Sequence, residues 1–161
     1  ISNCRNANSW NKDILSTKIT KQRINTDNKI RLGFLCGEIR NHPTYYLIKN
    51  LFKKINKDTF SMYMFSYDHE TGKKLNIEQD FNEFIDITPL NAAESKDKIK
   101  SYDLDILIDL TTIISHNRSN IIHQDIAKVI IAYLAFPGTT GSHIYDYILT
   151  DNVVTLSLIH I

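Results

Sequence analysis

The chain has 161 residues, enough for about one domain, with 42% apolar and 23% charged residues. That balance belongs to an ordinary globular domain and excludes a disordered, collagen-like or coiled-coil chain. Nineteen Lys and Arg against eighteen Asp and Glu leave a net charge of +1, which argues against a dedicated nucleic-acid surface. The longest apolar run, residues 129–136, falls far short of the ~20 residues that span a bilayer, so no membrane partner is expected. Cys4 and Cys36 form neither a zinc spacing nor a disulfide framework, the pattern of a reducing compartment. The sequence opens on Ile1 with no charged-then-apolar leader and is read as a piece of something longer.

Residues 1–29 are polar and rich in Asn and Lys, and are read as a connector from an upstream region. Trp10, Ile14 and Ile19 have the spacing of one helix face. Residues 30–36 (IRLGFLC) form a short apolar run closed by Gly37, the signature of a buried strand. Asn41-His42-Pro43 follows. Asn is a good N-cap and Pro suits the first helical turn, so a helix is expected from here to about residue 56, with Tyr46, Leu47, Leu51 and Ile55 on its apolar face. Further strands are expected at 60–67, 83–88, 105–110, 128–136 and 145–150, and helices at 90–102 and 117–126. Strands alternating with helices predict an α/β fold with a doubly wound, mostly parallel sheet.

In such a sheet ligands bind outside the carboxyl ends of the strands. The residues expected there are 37–42, then Asp68, His69 and Glu70, then Thr111 and Thr112, then 137–141, then Asp151. Pro137-Gly138-Thr139-Thr140-Gly141 has two glycines and two hydroxyls, a turn that can aim several donors at an anion or carbonyl oxygen, or can merely reverse the chain. His42, at a helix start beside a strand end, has the chemistry of a base or hydroxyl partner, or of a plain cap. Asp109 sits inside an apolar run and needs a partner if buried. His116 and His123 lack a third ligand at metal spacing. The sequence contains no GxGxxG, Walker loop, HExxH, GxSxG or CxxC.

Three blocks share a resemblance. RLGFLCGEIRNHP at 31–43 resembles the opening of the catalytic region of the O-linked N-acetylglucosamine transferases, glycosyltransferase family 41 with its SPINDLY-like members, which reads R-[IV]-G-Y-[VI]-S-x-D-F-x-x-H-P. DILIDLT at 105–111 resembles that family's DILVDLTGHT strand, and Asn117-Arg118 its following NR. YLAFPGTTGSHIYDYILTD at 133–151 resembles YLGFPGTTGxxxxDYxxxD.

The resemblance implies that residues 30–155 are the N-terminal Rossmann-like half of a GT-B type catalytic region. It implies transfer of N-acetylglucosamine from UDP-N-acetylglucosamine to Ser/Thr of polypeptides, inverting, in the cytoplasm, with no metal and no further cofactor. Implied partners are upstream tetratricopeptide repeats and a C-terminal half that carries most of the nucleotide pocket. His42 matches the family's active-site histidine. Asp68 and His69 fall near a family carboxylate proposed to assist deprotonation. Asn41, Pro43, Thr111, Ala135, Phe136, Pro137, Gly138, Thr139, Thr140 and Gly141 match substrate-binding positions. The sequence departs from the pattern at Cys36-Gly37-Glu38 for Ser-x-Asp, at Ala135 for Gly, at Thr112-Ile113 for Gly-His, and at Glu83 where several members have His. Residues 156–161 (LSLIHI) replace the expected continuation and are read as a non-native tail. Two alternatives stay open: a half-domain that binds peptides without catalysis, and a transferase with a different nucleotide sugar.

Overall fold

The computed structural model describes residues 29–67, 77–112, 118–134 and 143–151. Within them the chain runs β1 (Ile30–Cys36), α1 (Pro43–Lys54), β2 (Phe60–Ser66), β3 (Glu83–Asp86), α2 (Ala92–Ser101), β4 (Leu104–Asp109), β5 (Ala127–Tyr133) and β6 (Tyr147–Leu149). One six-stranded sheet results, ordered β3-β2-β1-β4-β5-β6, with every neighbouring pair parallel. The expected doubly wound, Rossmann-like α/β fold is therefore present. Strand order reverses between β1 and β4, which makes that seam the topological switch point.

The reversal also divides the core. Right-handed crossovers that step outward from β1 and then return past it place their helices on opposite faces. On one face α1 lays Tyr45, Ile48 and Phe52 over Phe34, Met62 and Met64. Phe34 and Phe52 meet edge to face with centroids 5.2 Å apart, and Phe52 meets Phe81 at 4.8 Å. On the other face Ile99 of α2 joins Leu35, Phe65 and Leu107. Ile121, Ile122 and Ile126 extend this second cluster.

Several expected boundaries shift. The buried side of α1 is Tyr45, Ile48 and Phe52, not the expected Tyr46 and Leu47, which are 50% and 69% exposed. Two apolar sets lie one residue apart on this helix, and the set that reaches Phe34 and Phe81 faces inward. The N-cap of α1 is His42 rather than Asn41, with Pro43 opening the helix. β3 ends at Asp86 because the Asp86 carboxylate turns back to the Thr88 N–H at 2.8 Å. α2 starts at Ala92 behind a reciprocal Asn91–Glu94 capping box. The helix expected at 117–126 is only a 3₁₀ turn at Ser119–Ile121 within its described part, where three isoleucines are buried as a loop. β5 stops at Tyr133, and Leu134 turns to φ 79°. Among the described residues no helix is long and apolar enough to cross a membrane.

Candidate active site at the sheet's switch point

At the switch point the ends of β1 and β4 are tied together. The Leu110 N–H donates to the Leu35 carbonyl at 2.9 Å, and the Gly37 N–H donates to Thr111 Oγ1 at 3.1 Å. β2 joins them, since the Tyr67 N–H donates to the Cys36 carbonyl at 3.3 Å. Gly37 is required by this crossing, because a Cβ there would overlap the Tyr67 ring. The Arg118 guanidinium lies over the Tyr67 ring, 5.3 Å from its centroid. Arg118 also donates to the carbonyls of Ile87 at 2.8 Å, Thr88 at 3.0 Å and Leu90 at 3.1 Å, tying the β3–α2 loop to the rim.

His42 sits on this rim at the start of α1. Its Nδ1 lies 3.3 Å from the Thr44 N–H, 3.2 Å from Thr44 Oγ1 and 3.2 Å from Glu38 Oε2. The Thr44 hydroxyl donates to the same Glu38 oxygen at 2.9 Å. Both the capping and the chemical readings of His42 thus rest on one imidazole whose side chain is one-third exposed. Asn41 accepts from the Tyr46 hydroxyl at 2.7 Å on the surface. Thr111 is buried and its hydroxyl is engaged by Gly37 below the rim.

Under the rim is a set of buried polar groups. Asp109, at the end of β4, is almost wholly buried and does have the partners it needs. Its carboxylate accepts from the N–H groups of Thr111 at 3.0 Å and Thr112 at 3.1 Å, and from the Tyr145 hydroxyl at 2.6 Å. Burial pushes the Asp109 carboxyl above its ordinary range, and these hydrogen bonds oppose the shift. Burial pushes the Cys36 thiol up to about 12, with the Glu38 backbone and Thr111 side chain offsetting part of it. Thr112 carries a positive φ of 49° and a buried hydroxyl without a partner among the described residues.

Asp68, His69, Glu70, His116, Asn117, Ala135, Phe136, Pro137, Gly138, Thr139, Thr140 and Gly141 lie outside the described residues. So do residues 1–28, most of the expected connector, and the tail at 156–161. Because all strands are parallel, β5 ends at the sheet edge that carries His42 and Thr111. Sequence reading missed the supports: Glu38 under His42, Tyr145 under Asp109, and Tyr67 beneath Gly37. Only the first left a signal, a Glu–His pair four residues apart.

A profile of glycosyl transferase family 41 matches residues 12–159. The chain belongs to glycosyl transferase family 41. A probable UDP-N-acetylglucosamine–peptide N-acetylglucosaminyltransferase SEC of Arabidopsis thaliana is 27% identical over 129 residues, covering 79% of this chain and 13% of that protein. A UDP-N-acetylglucosamine–peptide N-acetylglucosaminyltransferase of Caenorhabditis elegans is 24% identical over 136 residues, covering 82% of this chain and 12% of that protein. Among solved structures, a K341M mutant of the Thermobaculum terrenum O-GlcNAc transferase superposes with a TM-score of 0.68 at 26% identity, covering 76% of this chain and 24% of that one. This family 41 chain thus spans about an eighth of the length of the curated relatives it matches.

Proposed function

We propose that this chain supplies the N-terminal half of a two-part catalytic region that transfers N-acetylglucosamine from UDP-N-acetylglucosamine to Ser and Thr hydroxyls of polypeptides in the cytoplasm. The reaction is inverting and needs neither metal nor cofactor. The acceptor oxygen forms a bond to the anomeric carbon as the bond to UDP breaks, and the hydroxyl proton passes to a base. The single observation that carries the reading is the position of His42. Within a chain of this family, it stands at the head of α1 on the carboxyl edge of the sheet, beside the β1–β4 reversal.

In this reading His42 takes the proton, with Asp68 and His69 as further candidates. A positioned base contributes roughly 10² to 10⁴ in rate. Most of the acceleration comes from orienting donor and acceptor across the cleft, and from donors on the second half that stabilise the departing diphosphate. Asn41, Pro43 and residues 135–141 would line the donor side, and upstream tetratricopeptide repeats would present acceptors.

The test compares residues 1–161 with a longer protein that includes a second α/β half, each given UDP-N-acetylglucosamine and a Ser/Thr peptide. The longer protein is expected to add one N-acetylhexosamine mass to the peptide, and residues 1–161 none. Transfer by residues 1–161 alone overturns the two-half reading. Transfer only from another nucleotide sugar overturns the donor assignment. Peptide capture without donor or product favours a binding half-domain.

A further inference from the structure

We infer that Glu38 is a positioning residue that holds neutral His42 in its Nδ1–H tautomer, leaving Nε2 as the bare nitrogen. The inference deepens the transferase reading, since it says which nitrogen of His42 accepts the acceptor's proton.

The argument is a count of protons and lone pairs around Nδ1. The Thr44 hydroxyl spends its only proton on Glu38 Oε2, at 2.9 Å. Thr44 Oγ1 therefore presents only lone pairs to Nδ1, 3.2 Å away. Glu38 Oε2, also 3.2 Å from Nδ1, presents an anionic lone pair. A bare Nδ1 would face both oxygens with its own lone pair and gain one long contact from the Thr44 N–H at 3.3 Å. A protonated Nδ1 donates to both oxygens, gives up that contact and sets its N–H against the Thr44 N–H. A hydrogen bond to an ionised acceptor is about twice as strong as a neutral one, so the protonated form wins. The loss to the helix is confined to the Thr44 N–H, one of the first N–H groups, which have no intrahelical partner.

Glu38 is itself fixed. Its side chain is only 12% exposed, its N–H donates to Cys36 Sγ at 3.3 Å, and Thr44 anchors its carboxylate. The turn between β1 and α1 thus carries an orienting carboxylate and an oriented imidazole four residues apart. This is the arrangement by which a second group sets a histidine's tautomer.

The experiment is ¹⁵N NMR of the histidine rings in the full 161-residue chain at pH 8.5, well above the ordinary imidazole range. His42 is assigned by loss of its signals in His42→Gln. The expected result is a protonated-type Nδ1 and a bare-type Nε2 resonance. In Glu38→Gln the two resonances are expected to exchange character, as Nδ1 turns to accept from Thr44. In Glu38→Asp, which keeps a carboxylate, the Nδ1–H form is expected to return at least in part. A bare Nδ1 in the parent overturns the inference whether or not either variant folds. A folded Glu38→Gln that retains the Nδ1–H form overturns the role of Glu38. A chain with the expected tautomer that takes part in no sugar transfer sinks the transferase reading and leaves this one standing.

Discussion

Tyr145, just before β6, donates its hydroxyl to Asp109 at the end of β4 across 2.6 Å. The pair joins two segments 36 residues apart and completes the solvation of a carboxylate that water does not reach. Tyr145→Phe removes the donor and leaves a buried acceptor unmet, at a cost of ~1–3 kcal/mol in urea unfolding. Asp109→Asn keeps Oδ1 for the Thr111 and Thr112 N–H groups, removes the charge and lets the Tyr145 hydroxyl accept from the new amide instead of donating, so its stability at pH 7 stays within about 1 kcal/mol of the parent.

The same carboxyl predicts a pH dependence. Its affinity for protons is higher in the folded state than in the unfolded chain, whose value is near 3.8. Its contribution therefore favours folding most at low pH and fades as pH rises from there through the raised folded value. Unfolding free energies measured from pH 3.5 upward are expected to show this loss, and the Asp109→Asn profile is expected to lack it. Identical slopes in the two proteins would refute the assignment.

The central strands were legible because fully buried parallel strands read as unbroken apolar runs, and Pro43 announced α1. Asp109 also announced itself, as a carboxylate inside such a run. What answers it did not, because Tyr145 reaches it across the sheet rather than along the chain. The buried side of α1 was ambiguous for a related reason. Tyr45, Ile48 and Phe52 compete with Tyr46, Leu47 and Leu51, and only the aromatic cluster around Phe34 decides. The isoleucines at 121, 122 and 126 imitate a helix because apolar spacing cannot tell a buried loop from a turn of helix.

Gly37→Ala should be far more costly than an exposed glycine substitution. The added methyl meets the Tyr67 ring, itself packed beneath Arg118, and overpacking of this kind costs ~1–3 kcal/mol. Tyr67→Ala in the same protein should recover part of the loss, so the two effects will not add. A double variant as unstable as the sum of the singles would contradict the contact.

Thr112→Gly should leave the stability within about 1 kcal/mol of the parent. A threonine at φ 49° carries roughly 1–2 kcal/mol of backbone strain that glycine avoids, and its buried hydroxyl has no partner among the described residues. Against that gain stand the loss of a buried methyl group, about 1 kcal/mol, and glycine's greater freedom in the unfolded chain. A loss of several kcal/mol by chemical denaturation would contradict the strain at this position.

Cys36 should be inert in the native protein. With its thiol buried and pushed up to about 12, almost no thiolate exists near neutral pH. In a Cys4→Ser background, iodoacetamide is expected to modify the chain only at urea concentrations that unfold it, as read by mass spectrometry.

His42→Ala, made in a protein that contains both halves, is expected to lower kcat by ~10²-fold or more with less change in KM. Near-normal turnover would remove His42 from the proton transfer.

The bond between Gly37 and Thr111 spans 74 residues, and no strand in the described sheet is joined to its neighbour by a tight hairpin. During synthesis β1, α1, β2 and β3 leave the ribosome well before β4, so that flank can gather while the seam beside it still lacks its other wall. The crevice comes into being only when a distant stretch of polypeptide arrives and docks. A translational pause shortly before residue 104 would prolong the interval in which the unfinished edge of β1 is open to the wrong strand.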